Sequence, residues 1–329
     1  MRPRSLLAGL TLLLAVLFAI SLLIGPAALD PLTSLRGLIA GGDEAAIIIM
    51  REVRLPRAIL ALLVGVSLGL SGAALQGFLR NPLAEPGIVG VSATASLGAV
   101  LIFYSGLAGS SLLALPAGAL AGALVAVVLL LAIAAGNTTT LTLILAGVAL
   151  SSLAGALTSL VLNLSPNPFA SYEIIFWLLG SIKDRSMSHV WLSLPLMAAG
   201  WLLILASARA LDALSFGEET ATSIGIDLPR SRLMIVAGVA LAVGAGTAVT
   251  GAIGFVGLVV PHLVRPLTDR MPSSLLVPSA LGGGALLLAA DIAARIVVPA
   301  RELNVGVLTA LIGAPFFLWL VIRSRREAP

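Results

Sequence analysis

The chain has 329 residues, 59% of them hydrophobic and only 10% charged, with a formal net charge of +4 and a mean hydropathy of +1.12. A water-soluble domain carries roughly a quarter of its residues as Asp, Glu, Lys or Arg, so this composition excludes one. Seven windows hold none of those four residues, at 5–29, 58–79, 86–172, 186–208, 233–264, 271–290 and 303–322, and they cover 229 of the 329 positions. At about 20 apolar residues per helical crossing, most of the chain lies within a bilayer.

The first span is expected over 5–29. Arg2 and Arg4 precede an apolar core from Leu6 to Ile24. That core is longer than the roughly 7 to 15 residues of a signal peptide, and Gly25-Pro26-Ala27-Ala28 is only a loose cleavage site, so the segment reads as a retained span. The second span is expected over 57–79. Within the long window 86–172, small polar and glycine residues near Ser105 to Ser111 and near Gly136 to Thr140 mark turns and leave spans at about 87–104, 116–135 and 141–163. A sixth follows at 190–208.

The window 233–264 is either one long helix or two crossings that turn near Gly251 to Gly254. Charge decides between them. With two crossings and a cytoplasmic Met1, the inner side holds eleven of the basic residues and the outer side eight; with one crossing the counts reverse against the positive-inside rule. Spans are therefore expected at 231–250 and 253–268, then 274–295 and 304–322. The predicted fold is an all-α polytopic membrane protein of about ten transmembrane helices in one permease-like domain, both termini cytoplasmic, with residues 209–232 as a cytoplasmic segment.

A weak inverted repeat runs through it. Leu55-Pro56-Arg57 opens the second span from outside and Leu228-Pro229-Arg230 the seventh from inside, and Gly65-Val66 and Gly238-Val239 keep the same offset of 173. Gly87-Ile88-Val89-Gly90-Val91 matches Gly254-Phe255-Val256-Gly257-Leu258. Many transporters place the substrate path between halves of opposite topology.

Several chemistries lack their residues. The sole lysine, Lys183, stands outside any glycine-rich phosphate loop, so the chain itself hydrolyses no ATP. There is no cysteine, and His189 and His262 have no metal-binding neighbourhood; no catalytic or metal residue is assigned, and His262 reads as a helix-end residue. The basic residues stand singly between apolar runs, which indicates topology rather than nucleic-acid binding. The spans carry almost no ionisable groups, with Glu85 in the Asn81 to Pro86 turn and Asp291 and Arg295 at the end of the ninth. An ion-coupled secondary carrier is thus the alternative rather than the first reading.

Four stretches stand out as contact surfaces. Arg209 to Arg232 holds seven charged residues; within it Ser215 is expected to cap a short helix, Glu218 and Glu219 to occupy the first turn and Gly225 to stop it. Arg54, Arg57 and Arg295 lie on the outer side against the positive-inside rule, either snorkelling to lipid phosphates or receiving carboxylates of a partner. Ser152, Gly155, Ser159 and Asn163 recur along one face of the fifth span and fit either a water-accessible path or a close helix contact. Gly65 with Gly69 and Gly118 with Gly122 read as helix packing. Finally, Ala170 to Ser181 is too short to cross and is expected to lie at the outer interface with Tyr172, Phe176 and Trp177.

The strings RLPR at Arg54 to Arg57, SGAALQGFLRNPLAEPGIVGVS from Ser71, GEETATSIG from Gly217, GAIGFVGLVVPHLVR from Gly251 and GVLTALIGAPFFLWL from Gly306 resemble the FecCD-type permeases of binding-protein-dependent ABC importers. Those permeases take up iron-siderophores, haem and cobalamin. The resemblance implies a homodimer in the bacterial inner membrane with the path at its twofold interface, two cytoplasmic ATP-binding subunits and an extracytoplasmic substrate-binding protein. It also implies no cofactor on this chain, ATP and Mg residing on the partner ATPase subunits. By the same resemblance, Ser215, Gly217, Glu218, Glu219, Ala221, Ile224 and Gly225 form the coupling element. Arg54, Arg57 and Arg295 then align with binding-protein docking residues, and Asn81, Leu83, Thr140 and Leu141 with a cytoplasmic gate, Leu141 being apolar where relatives carry small polar residues. An iron-siderophore-type chelate is the first expectation for the substrate, with cobalamin or haem as the alternatives.

Overall fold

A chain this apolar hides its backbone polar groups by forming helices, the one open structure that satisfies every N–H and C=O internally in lipid. The computed structural model describes residues 3–25, 45–134, 139–165, 172, 174, 175, 177–297 and 303–327, and among the described residues all regular structure is helical. In chain order the α-helices are α1 (Pro3–Leu23), α2 (Leu55–Phe78), α3 (Val91–Tyr104), α4 (Ala114–Ala134), α5 (Thr140–Leu164) and α6 (Met187–Ala206). They continue as α7 (Ala208–Ser215), α8 (Glu218–Ser223), α9 (Leu228–Thr250), α10 (Val256–Val264), α11 (Pro272–Ile296) and α12 (Val305–Glu327). A helical lead-in, Ala45–Ile48 and then the wider turns of Ile49–Arg54, runs directly into α2.

Among the described residues, seven helical segments are long and apolar enough to cross a membrane, and three more, Val91–Tyr104, Val256–Leu267 and Val305–Leu320, are apolar but shorter. One helix falls in each of the ten segments expected to span. The fourteen residues of α3 reach only about 21 Å at 1.5 Å per residue, short of the roughly 30 Å lipid core. A short 3₁₀ turn, Pro86–Val89, precedes this helix. Glu85 to Gly90 leads into α3 through Gly90 at φ 82°, and Gly251 to Phe255 leads into α10 through Phe255 at φ 67°, both in the left-handed region.

These two broken starts overlap the matched pentapeptides of the sequence repeat, and they touch. The Glu85 carboxylate accepts the Phe255 N–H through Oε1, and a Cβ on Gly257 would sit 2.6 Å from Pro86 Cδ. Non-helical backbone survives at membrane depth only where protein surrounds it, and here each half covers the other's break. Gln76, buried on α2, spans the same junction. Its amide donates to Ala84 O, Gly257 O and Leu258 O at 3.4 Å, while Arg265 donates to its Oε1.

Of the long helices described, α2, α9 and α11 are the most buried, whereas α1 and α5 keep most of their surface open. Close approach of α2 and α11 depends on glycine: a Cβ on Gly65 would meet Gly283 O at 2.4 Å and one on Gly69 would meet Ser279 O at 2.1 Å. Gly118 and Gly122 serve α4 against α3 in the same way, facing Ile102 and Thr94 O. Both GxxxG pairs therefore pack within the chain. Gly72 is tighter still, with Gly257 O 2.0 Å from its Cβ position. Gly72→Ala is expected to destabilise the fold by about 1–3 kcal/mol, because backbone rather than a flexible side chain must yield. Thermal unfolding in detergent measures it, and an unchanged midpoint would contradict this packing.

Candidate functional site

The helix ends form two polar sites, one at each end of the bundle. At the first, α7 and α8 follow α6 as short helices too polar to cross. The structure corrects one expectation. Ser215 does not cap α8; it is the last residue of α7, its hydroxyl donating to Asp212 O at 2.6 Å, and Gly217, at φ 109°, takes the N-cap position of α8. A serine cap would need its hydroxyl to accept from the next helix, and here the hydroxyl points back. Glu218 and Glu219 do occupy the first turn of α8, and Gly225 follows it at φ 86°.

Ala221 is buried beneath α8, while Glu219, Ile224 and Gly225 face outward. Phe216, just after α7, and Ile224, just after α8, are both exposed apolar residues of this segment. Sequence reading passed over Phe216 because one aromatic beside a glycine carries no periodic signal.

Glu218 is the junction of this end. Thr140, the first residue of α5, donates its hydroxyl to Oε1 at 2.9 Å, and Arg232, in the first turns of α9, reaches Oε2 at 2.9 Å. Partial burial would raise the carboxyl's pKa, but the bonds from Arg232 and Thr140 and the nearby charge of Arg80 outweigh it and hold the pKa below its ordinary value. One side chain thus ties a short polar helix to the starts of two apolar helices. The structure brings together Thr140, expected at the gate, and Glu218, expected in the coupling element.

The remaining gate residues are near this end. Asn81 accepts the Leu83 N–H at 2.9 Å in a tight turn after α2, and neighbouring Arg80 approaches the Gly217 backbone. Leu141 is exposed. Along α5, Ser152, Gly155, Ser159 and Asn163 all lie on the exposed surface, and no atom comes within 4 Å of a Cβ placed on Gly155. Among the described residues, nothing packs closely against Gly155 on that face.

At the opposite end, Arg54, Arg57 and Arg295 converge, but they do not project. Asp291 is wholly buried on α11 and pairs with Arg57, whose Nη2 and Nε each lie 2.9 Å from Oδ1, and with Arg295 through Oδ2. Arg54 donates to Leu22 O and Leu23 O, and Arg295 to Ser21 O and Ile24 O. The last carbonyls of α1 lack helical partners and carry the negative end of its dipole, which two guanidiniums satisfy. The cluster sets three cations against one carboxylate.

Between these ends, an apolar cavity of about 560 Å³ opens beside the broken start of α10, walled by Phe255, Gly254, Leu179, Leu311 and Pro315. Tyr172 is exposed, whereas Trp177 is buried in the core rather than lying at an interface; Phe176 lies outside the described residues. His262 sits in the last turn of α10, edge-on to Phe316 at 5.6 Å. Among the described residues no three His, Asp or Glu side chains gather to hold a metal ion.

Comparison with known proteins agrees with this architecture. Residues 13–323 match the model of the FecCD transport family. The chain is 44% identical over 287 residues to the cobalamin import system permease BtuC of Halobacterium salinarum, covering 85% of this chain and 75% of that protein. It is 41% identical over 280 residues to the Fe(3+) dicitrate transport permease FecD of Escherichia coli K12, covering 84% and 86%. A solved inward-facing conformation of a metal-chelate type ABC transporter superposes with a TM-score of 0.86 at 33% identity, covering 97% of this chain and 99% of that one. With a family match over nearly its whole length, relatives above 40% identity and the same helical fold, the chain belongs to the FecCD transport family of ABC importer permeases.

Proposed function

We propose that this chain is the membrane-spanning subunit of an importer in the bacterial inner membrane that moves an iron-siderophore-type metal chelate. Work arrives from outside the chain: two cytoplasmic ATP-binding subunits dock on α7 and α8, and a substrate-binding protein delivers the chelate to the opposite end. Two copies form the functional unit, with the open serine and glycine face of α5 lining the path between them. Closure of the ATP-binding subunits displaces α8, and Glu218 carries that displacement to α5 and α9, so the cytoplasmic gate at Asn81, Leu83, Thr140 and Leu141 changes state. Packed helices shift between discrete arrangements rather than bending continuously, which suits such a two-state path.

The observation that carries this reading is the Thr140–Glu218–Arg232 junction, which joins the exposed short helix to two apolar helices through one carboxylate. For the substrate, iron dicitrate is transported by one relative's system and cobalamin imported by another's, and the apolar cavity beside Phe255 offers no charged ligand that would favour either. The iron chelate is our first reading, with cobalamin or haem as alternatives.

The competing class is an ion-coupled carrier acting alone. Reconstituted by itself in liposomes under a proton or sodium gradient, the chain is expected to accumulate no labelled chelate. Uptake is expected only when ATP-binding subunits, substrate-binding protein and MgATP are added, and a tagged ATP-binding subunit should copurify with the chain. Accumulation by the lone chain would establish the carrier instead.

A further inference from the structure

A cleft of about 520 Å³, within the size range of small-molecule sites, opens where the N-terminal end of α1 meets the turn after α10 and the first two turns of α11. Its lining is divided by polarity. Leu6, Leu7, Leu267 and Val277 supply an apolar wall, and Leu267 and Val277 stay well exposed on the flank of the bundle. Thr268, Asp269, Ser273 and Ser274 form a polar rim.

The depth of this rim is fixed by its neighbours. The Ser273 N–H donates to Asp212 Oδ1 at 2.8 Å, so the rim stands level with α7, at the end bearing the coupling segment. Asp269 accepts the Met271 N–H and the Ser274 hydroxyl, both through Oδ1, and these bonds hold its carboxyl below the usual carboxylate range. It is therefore anionic at neutral pH. Arg270 follows it directly and Arg4 lies on the first turn of α1, both exposed.

An apolar wall open to the acyl layer beneath a polar rim at headgroup level has the division of a phospholipid. A water-soluble ligand would leave the wall unused, and an apolar protein helix would take the exposed Asp269 carboxylate out of water at a cost. The rim carries one anion, with exposed Arg270 next to it in the chain and exposed Arg4 three residues before Leu7, which suits a headgroup with both ammonium and phosphate; a purely anionic headgroup would meet the Asp269 charge. We propose that this cleft seats one cytoplasmic-leaflet phospholipid of the phosphatidylethanolamine type, its ammonium on Asp269, its phosphate toward Arg270 and Arg4, and its chains along Leu7, Leu267 and Val277. The lipid fills the gap between α1 and α11 at the end where no arginine pins α1.

Native mass spectrometry of the full chain in detergent tests this with palmitoyl-oleoyl phosphatidylethanolamine and phosphatidylglycerol, which share their tails. Surrounding lipid binds without preference, so the headgroup ratio is the readout. The first bound lipid is expected to favour phosphatidylethanolamine about three- to fivefold, the range of an exposed ion pair. Asp269→Asn should bring the ratio to about one while Asp269→Glu preserves it, and Val277→Trp should weaken first-lipid binding of both. A wild-type ratio of one or less, a ratio unchanged in Asp269→Asn, or full binding in Val277→Trp would each overturn the proposal.

Discussion

Asp291→Ala is expected to abolish recovery of folded protein from the membrane. The carboxylate is completely enclosed, and Arg57, itself only 7% exposed, and Arg295 both depend on it. Removing it leaves two guanidiniums facing each other among apolar helices. Breaking a buried pair from one side costs about 3–5 kcal/mol, a large share of the roughly 5–15 kcal/mol that holds a typical domain folded. The double variant Arg57→Met with Asp291→Asn removes the stranded cation and leaves Arg295 its bonds to Ser21 and Ile24. It should regain more than half of the loss, since well-packed apolar replacements of buried pairs are often neutral. Size-exclusion chromatography and thermal unfolding in detergent report both variants. Wild-type yield and melting midpoint in Asp291→Ala would show that the cluster is dispensable.

Glu218→Ala is expected to uncouple the assembled transporter while leaving the chain folded. Its carboxylate stays partly exposed, so little burial energy is lost, but α8 then loses its charge-assisted bonds to Thr140 and Arg232. A charge-assisted hydrogen bond discounted for that exposure is worth about 1.4 kcal/mol, which is tenfold in an equilibrium between two arrangements. Chelate uptake should fall about tenfold per ATP hydrolysed, with hydrolysis itself largely retained. Arg232→Gln should reproduce the defect, and the double variant should be no worse than either single, because both remove one junction. Full uptake by Glu218→Ala would reject the relay.

The helical plan was readable in the sequence because lipid writes a coarse code: long uncharged runs separated by single arginines and small polar turns. The charge balance that divided 233–264 into two segments matches the non-helical stretch Gly251 to Phe255 between α9 and α10. The pentapeptide repeat also had a structural counterpart, since both copies begin shortened helices from left-handed backbone. What one dimension concealed was pairing. Arg57 and Asp291 are separated by 234 residues and Thr140 and Glu218 by 78, and no local pattern announces that such residues meet. The three arginines stood out in the sequence as a group against the positive-inside rule, but their burial against Asp291 and the last carbonyls of α1 left no local trace. Ser215 misled because a serine ahead of two glutamates resembles a cap, yet it belongs to the preceding helix.

The pinning of α1 by Arg54 and Arg295 also bears on how the polypeptide matures. Arg54 reaches Leu22 O across 32 residues, but Arg295 reaches Ser21 O across 274. At about 5–20 residues per second, the ribosome needs on the order of 15–50 s to deliver the second pin after the first helix has entered the membrane. Throughout that interval the earliest helix is held from one side only. Nascent chains truncated before Arg295 should consequently be prime targets of membrane quality-control proteases, and ones that extend beyond it should escape.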